Sequence, residues 1–262
     1  MNSIYKWINL AAFVAMIAIN ALANILPIGG NTTAEVSNSI PNLFTPAPFT
    51  FGIWGVIYIF MGFFVVYQLI VPMNSAEYGY MRSGVGILFI LSCLFNIGWI
   101  FSWHFHKMGL SVIFMLALLL TLIIINLRFT VGPNVTFGPR VAVYGFNIYI
   151  GWICAATIAN IGVFLNSIGW TRFGLPDQVW MIVVLVVGAL LGVCFSMVGY
   201  RYFATLAIVW AYFGILIKHI SINGYNNEYP LIIVMTGILM VCMLLFIVLT
   251  TLIPDFQITS KE

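Results

Sequence analysis

Eight apolar segments, each about as long as a bilayer-spanning helix, constrain the fold of this chain more than any other feature. They cover roughly residues 4–28, 50–71, 83–103, 110–129, 141–164, 179–198, 202–220 and 231–253. A transmembrane helix needs about 20 apolar residues, whereas a strand of a membrane barrel shows about 10 residues of alternating polarity. The continuous runs therefore predict an all-α, polytopic membrane helix bundle with about eight transmembrane helices.

The charge content supports the same class of protein. Only 6% of the 262 residues are charged and 63% are hydrophobic, whereas an ordinary soluble domain is about 25% charged. Because this number of charges is too small to form the polar surface of a soluble fold, we expect membrane lipid to surround the chain. No cluster of Lys or Arg indicates nucleic acid as a partner.

Basic residues are distributed unevenly between the two sides of the membrane that the predicted spans would cross. If the N-terminus is cytoplasmic, that side carries Lys6, Arg82, Arg128, Arg140, Arg201 and Lys261, against Lys107, Arg172 and Lys218 on the other. Cytoplasmic loops carry the excess of Lys and Arg in membrane proteins. The pattern predicts cytoplasmic N- and C-termini, and the location we expect is the plasma membrane of a bacterium.

The positions of the acidic residues limit the possible mechanisms. They are all predicted in loops, at helix ends or in the tail: Glu35, Glu77, Asp177, Glu228, Asp255 and Glu262. A carboxylate inside a span is the usual mark of a proton relay or ion-coupled carrier, so ion coupling is disfavoured while facilitated passage stays open. The chain has no nucleophile or phosphate-binding motif, and His104 and His106 lack a third ligand. We therefore predict no metal and no cofactor, and the residues themselves predict no enzyme.

Polar and aromatic side chains recur at helical spacing on three of the spans. They are Trp54 and Tyr58 on the second span, Asn96 and Trp99 on the third, and Tyr149, Trp152, Ala156 and Asn160 on the fifth. One interpretation is a pocket for a large, flat, mostly apolar ligand, because Trp and Tyr offer broad faces with one polar atom each. The other is that Trp and Tyr mark the membrane interface while Asn joins helices.

The long first connection, residues 29–49, is polar and carries no Lys or Arg. It ends in Pro46-Ala47-Pro48-Phe49, and prolines favour an extended backbone before a helix begins. Long connections of this kind often cover binding sites. We interpret it as a loop that forms a lid.

The same residues resemble the TspO/MBR family, the tryptophan-rich sensory proteins that include the mitochondrial translocator protein. The stretch from Pro46 through Phe51 and Trp54 to Tyr58 is similar to that family's proline-rich entry and Phe-x-x-Trp-x-x-x-Tyr second helix. Its third-helix Asn and Trp match Asn96 and Trp99. Its fifth-helix pattern matches Tyr149, Trp152, Ala156 and Asn160. The chain departs from the family where Ala47 separates the two prolines and where Ile148 replaces a proline.

The resemblance implies a five-helix TspO-like core at residues 1–170, followed by a three-helix transmembrane extension at residues 171–262. It further implies binding or translocation of a porphyrin (a tetrapyrrole), a sterol or another apolar small molecule. The ligand-binding residues so implied are Pro46, Pro48, Phe49, Phe51, Trp54, Tyr58, Asn96, Trp99, Tyr149, Trp152, Ala156 and Asn160.

Two other functions and one partner stay open. Some bacterial members of the family are reported to degrade protoporphyrin, which would make Trp54 and Trp152 the candidate catalytic residues of an oxidative enzyme. Alternatively, all eight helices form a facilitative transporter of an unrelated substrate. A second copy of the chain, forming a homodimer, is a further possible partner.

Overall fold

The protein is described by a computed structural model that covers residues 4–26, 28–132, 135–198 and 201–253. Within these residues there are ten α-helices and no β-strand, which confirms the all-α prediction. The helices are α1 (Ile4–Ile25), α2 (Thr33–Ser39), α3 (Ile53–Ile70), α4 (Ala76–Gly84), α5 (Gly86–His104), α6 (Met108–Arg128), α7 (Phe137–Ser167), α8 (Asp177–Met197), α9 (Tyr202–Ile220) and α10 (Pro230–Leu252).

Eight helical segments are long and apolar enough to cross a membrane, as the sequence predicts. They are α1, α5, α6, α7, α8, α9 and α10, and the segment Pro48–Ile70, in which a 3-10 turn at Pro48–Gly52 leads into α3. The helix α7 is 31 residues long and begins before the predicted apolar run. Its first turn carries Arg140, whose guanidinium donates a hydrogen bond to the Val135 carbonyl at 2.9 Å.

Two short helices lie in segments that the sequence predicts as loops. The first connection contains α2, which starts in a capping box: the Glu35 carboxylate accepts from the Thr32 backbone N–H at 2.7 Å, and the Thr32 hydroxyl accepts from the Glu35 N–H at 3.3 Å. The helix α4 begins after Ser75, whose hydroxyl accepts from the Tyr78 N–H at 3.1 Å. Both helices are short and polar, so the apolar pattern does not show them.

The chain forms two compact units. The first unit comprises residues 1–36 and 54–150, and the second comprises residues 37–53 and 151–262. In the first, α5 packs against α1 and α6, and α4 packs against α5 and α6; in the second, α8, α9 and α10 pack on one another. The proposed division into residues 1–170 and 171–262 stays a prediction. Residues 199–200, which lie between the sixth and seventh predicted spans, and the tail at 254–262 are outside the described residues.

A close helix approach in the second unit depends on Gly151. A β-carbon at this position would collide with the backbone carbonyl of Ala204 on α9. Small residues let transmembrane helices approach closely, which strengthens their van der Waals contact. Gly151 therefore lets the carboxyl-terminal half of α7 pack directly on the backbone of α9.

The basic residue at the start of α1 is bound within the first unit. Lys6 is buried, its ammonium donates to the Val71 carbonyl at 2.7 Å, and it lies 4.6 Å from the centroid of the Tyr78 ring. A cation is stabilised by carbonyls at a helix end and by an aromatic face. The charge of Lys6 thus ties the first turn of α1 to the end of α3 and to α4.

Candidate functional site

Four aromatic rings in the first unit form a stack that we call the aromatic ladder. Tyr58 and Trp54 have centroids 5.6 Å apart and planes inclined by 24°. Trp54 and Trp99 follow at 6.0 Å and 30°, and Trp99 and Trp103 at 5.9 Å and 28°. Tyr149 meets Trp54 edge-on at 5.8 Å and 73°. The structure therefore brings together five aromatic residues, four of which the sequence proposes as ligand-binding.

Helical spacing explains how the ladder forms. Trp54 and Tyr58 are separated by four residues on α3, and Trp99 and Trp103 by four residues on α5. Side chains at this spacing lie above one another on a helix face, so each helix supplies two rings. Trp103 was not proposed from the sequence, although its spacing from Trp99 is the signal that would have indicated it.

Hydrogen bonds fix one side of the ladder. Asn20 donates to the side-chain oxygen of Asn96 at 2.7 Å, and the Asn96 amide donates to the Tyr149 hydroxyl at 3.4 Å. These bonds join α1, α5 and α7 inside the apolar first unit, where a buried amide without partners would be costly. Asn96 therefore acts as a helix tie. Asn20 was missed by the sequence analysis, although an Asn within the apolar run of α1 is a usable signal.

The other end of the ladder is attached to the first connection. The indole N–H of Trp103 donates to the Thr33 carbonyl at 3.2 Å, and Thr33 Oγ1 lies 3.0 Å from His104 Nε2. His104 Nδ1 lies 2.9 Å from the Ile28 carbonyl oxygen, which can only accept. In the neutral ring Nδ1 therefore carries the proton and Nε2 accepts from Thr33. These contacts hold the start of α2 against the end of α5.

Gly29 allows the chain to pass close to the same helix end. Its φ is 71°, and a β-carbon there would lie 2.7 Å from the His104 carbonyl oxygen. Both the left-handed backbone and the short approach favour glycine. The connection can therefore turn directly over the end of α5.

Three of the four candidate residues on α7, namely Trp152, Ala156 and Asn160, lie in the second unit. The Trp152 ring is buried and meets Phe51 edge-on at a centroid distance of 6.0 Å and an angle of 81°. Asn160 is also buried, and Ala156 is half-buried. Their roles in ligand binding stay predictions from the family resemblance.

The proline-rich entry packs on α9, a helix to which sequence reasoning gave no role. The Ala47 N–H donates to the Gly214 carbonyl at 3.0 Å, and the Trp210 indole donates to the Thr50 carbonyl at 2.9 Å. Phe49, which is partly exposed, meets Trp210 edge-on at 5.6 Å. Pro46 is buried and Pro48 is exposed. The entry segment is therefore held in place by the seventh predicted span.

His219, near the end of α9, is enclosed by residues of the second unit. Its side chain is fully buried, its Nε2 lies 3.0 Å from the Leu43 carbonyl oxygen, and its ring lies 4.7 Å from that of Tyr225. Its neighbour Lys218 points to a different partner, donating to Asn38 at 3.0 Å. Residues distant in sequence therefore cover the ring of His219.

Acidic residues in the described part of the chain lie outside the interiors of the spans. Glu35 is in α2, Glu77 is in α4, Asp177 is the first residue of α8, and Glu228 precedes α10. Asp255 and Glu262 lie outside the described residues. Among the described residues, no carboxylate of the kind that ion-coupled carriers use therefore lies in the interior of a span.

Eight apolar spans and a buried aromatic ladder define a multi-pass α-helical membrane protein. The family model described as "TSPO-like protein" matches residues 6–249. The chain therefore belongs to the TSPO-like family, and the match continues through α8 and α9 into α10. No curated protein and no solved structure matches it.

Proposed function

We propose that this TSPO-like membrane protein binds a flat, mostly apolar ligand, a porphyrin or a sterol, at the aromatic ladder. The aromatic ladder carries the proposal. Its four rings, each inclined by 24° to 30° to the next, provide faces on which a planar macrocycle or a fused-ring sterol can stack. Aromatic contacts of this kind contribute about 0.5–1.5 kcal/mol each beyond the area they bury.

The polar atoms around the ladder give the bound ligand an orientation. The Asn96 amide and the Tyr149 hydroxyl lie beside Trp54 and Trp99. Pockets for apolar ligands typically combine hydrophobic walls with a few fixed polar groups. A ligand carboxylate or hydroxyl would exchange hydrogen bonds with this pair while its ring system stacks on the indoles.

Entry of the ligand requires the first connection to move. Trp54 is 8% exposed and Trp99 is 4% exposed, so their faces are covered in this conformation. The bond from Trp103 to the Thr33 carbonyl holds the start of α2 over the end of the ladder. We propose that α2 is the movable part of the lid and that breaking this bond opens the site.

The remaining functional assignments rest on the family resemblance. In the second unit it implies ligand-binding roles for Pro46, Pro48, Phe49, Phe51, Trp152, Ala156 and Asn160. Oxidative degradation of protoporphyrin and facilitated transport through all eight helices stay predictions, as do the bacterial plasma membrane and cytoplasmic termini. The positions of the acids support a passive site rather than an ion-coupled one.

A dark titration of the detergent-solubilised protein with protoporphyrin IX tests the proposal. Tryptophan fluorescence would be followed in the wild type and in Trp54→Leu and Trp99→Leu. We expect saturable quenching in the wild type and a Kd raised about tenfold in each variant, the equivalent of one lost aromatic contact.

The matched control is Trp7→Leu, because Trp7 also lies on a helix of the first unit but is 60% exposed. It should leave the Kd unchanged after correction for the lost fluorophore. Equal dissociation constants in all four proteins would refute binding at the ladder. Trp152→Leu, measured separately, reports on the residue that only the resemblance implicates.

A further inference from the structure

A cleft in the second unit is separate from the aromatic ladder. It has a volume of about 730 Å³ and lies among α7, α8, residues 40–44 and the turn before α10. Sites for small molecules typically have volumes of about 300–1,000 Å³. None of the twelve residues that the family resemblance implicates lines this cleft, and one of its walls is α8, which has no counterpart in the five-helix pattern.

The walls of the cleft are aliphatic. On α7 they are formed by Ile158, Ile161 and Leu165, and on α8 by Val184 and Val187. The spacing of three or four residues places each set on one face of its helix. The two faces form a trough that suits a hydrocarbon chain.

Four aromatic side chains surround the mouth of the cleft. Trp170 and Trp180 meet at a centroid distance of 4.9 Å and an angle of 74°, and Tyr225 and Tyr229 at 5.4 Å and 81°. Membrane proteins often carry Trp and Tyr at the membrane interface as a belt that faces lipid headgroups. Here all four line a concave surface instead, and concave arrangements of aromatic rings recognise ammonium groups.

One basic and one acidic side chain lie at the mouth of the same cleft. The Arg172 guanidinium donates to the Asp177 carboxylate at 3.1 Å, with the two side chains 24% and 59% exposed. A hydrogen bond to Glu228, burial and nearby charges that include Asp177 raise the pKa of the Tyr229 hydroxyl. Asp177 and the four aromatic side chains line the same cleft.

The turn that carries Arg172 has an unusual backbone conformation. Arg172 and Phe173 have φ values of 53° and 57°, in the left-handed region that non-glycine residues rarely adopt. Residues held in that region persist only where the surroundings favour them, and they are common at ligand sites. The turn places Arg172 at the cleft.

We propose that this cleft binds a single-chain amphiphile with a zwitterionic headgroup. The aliphatic trough takes the chain, the Arg172 guanidinium takes the anionic group, and Asp177 with the aromatic rings takes the ammonium. Because Arg172 and Asp177 neutralise each other, a headgroup with one charge would leave a partner uncompensated. A headgroup with both charges replaces the ion pair between Arg172 and Asp177 by two ion pairs, one with each side chain.

Native mass spectrometry of the full chain released from maltoside micelles tests the proposal. The probes are lysophosphatidylcholine, lysophosphatidylglycerol with the same chain, and glycerophosphocholine, which has the head without the chain. We expect saturable binding of lysophosphatidylcholine, at least about tenfold weaker binding of the anionic lipid, and none of the chainless head. Equal binding of the two lipids would overturn the headgroup assignment, and binding of the chainless head would overturn the role of the trough.

Variants place the site within the second unit. Arg172→Gln and Asp177→Asn should each weaken lysophosphatidylcholine binding about tenfold, and Val187→Trp should block the trough. Arg128→Gln, an exposed arginine of the first unit, is the control and should have no effect. Unchanged binding in Arg172→Gln and Val187→Trp, with unfolding temperatures equal to that of the wild type, would refute the site. The headgroup comparison needs no variant, so it decides the proposal even if one fails to fold.

Discussion

One hydrogen bond between two asparagines joins α1 to α5 beside the aromatic ladder. Asn20 and Asn96 are both buried and face each other at 2.7 Å. Removing one partner leaves the other amide buried in an apolar environment, whereas removing both leaves no amide without its partner, although the Tyr149 hydroxyl loses the Asn96 donor in either case. The pair therefore permits a test that separates the hydrogen bond from the volume of the side chains.

Asn20→Leu and Asn96→Leu should each lower the free energy of unfolding by about 1–2 kcal/mol. The free energy of unfolding lost in the double variant should be about 1 kcal/mol smaller than the sum of the two single losses, because the effects of substituting residues in contact are not additive. Unfolding in detergent, followed by tryptophan fluorescence, measures all three. Asn24→Leu, at an exposed position of α1, is the control, and strict additivity would contradict the helix tie.

The capping box makes the start of α2 sensitive to acid. Hydrogen bonds from the Thr32 backbone and hydroxyl hold the pKa of the Glu35 carboxyl below its ordinary value of 4.5. A carboxyl with a lowered pKa in the folded state stabilises the helix fully above its unfolded-state value. That contribution is lost as the pH falls through the lowered value.

Amide exchange of residues 33–36, corrected for the intrinsic effect of pH, should therefore accelerate below about pH 4.5 relative to the rest of the first unit. Glu35→Ala, which removes the acceptor of the capping box, should show fast exchange in α2 already at neutral pH and no further acid dependence. Exchange that is unaffected by the substitution would show that the capping box does not stabilise α2.

Close packing between helices is a property of whole elements, and Gly151 is its clearest case. Its missing side chain allows α7 to approach the Ala204 carbonyl on α9. A backbone atom cannot rotate away, so an added methyl group must push the helices apart. The helix pair is thus more sensitive at this position than its apolar surroundings would indicate.

Gly151→Ala should lower the free energy of unfolding by about 1–3 kcal/mol. The matched control is Gly55→Ala on α3, where a β-carbon meets nothing within 4 Å; there alanine should be neutral or stabilising by up to about 1 kcal/mol. Scanning fluorimetry of both variants provides the comparison. Equal unfolding temperatures would contradict the close approach.

For the molecule as a whole, the sequence predicts the spans well because hydropathy is a local property. All eight spans are present, and α2 and α4 were missed because seven and nine mostly polar residues carry no apolar period. The site was predicted in part. Spacing shows which side chains share a helix face, so Trp54 with Tyr58 and Asn96 with Trp99 could be paired.

Contacts between distant segments could not be predicted in this way. Nothing near Trp103 in the sequence indicates that its indole meets the Thr33 carbonyl, and nothing near Phe49 indicates that its ring meets Trp210. Such pairs depend on which helices become neighbours, a choice that apolar periodicity leaves open. The role of α9 in holding the entry segment is the largest feature missed for this reason.

The same contacts predict the outcome of removing residues 176–262. The Thr50 carbonyl would lose the Trp210 N–H, and Phe49 would lose both Trp210 and Phe213. We expect the shortened chain to unfold at a temperature lower by about 5 °C or more. If it keeps both the unfolding temperature and the porphyrin affinity of the full chain, residues 1–170 form an independent module with an appended extension.

The most direct test of the central claim is to map where the ligand attaches. A protoporphyrin carrying a diazirine would be photolysed on the detergent-solubilised chain, and the labelled peptides would be identified by mass spectrometry, with excess protoporphyrin IX as competitor. Binding at the aromatic ladder predicts competed labels on α3 and α5 around Trp54 and Trp99. Labels confined to α8 and the turn at Arg172, or spread over lipid-facing residues and unaffected by the competitor, would contradict it.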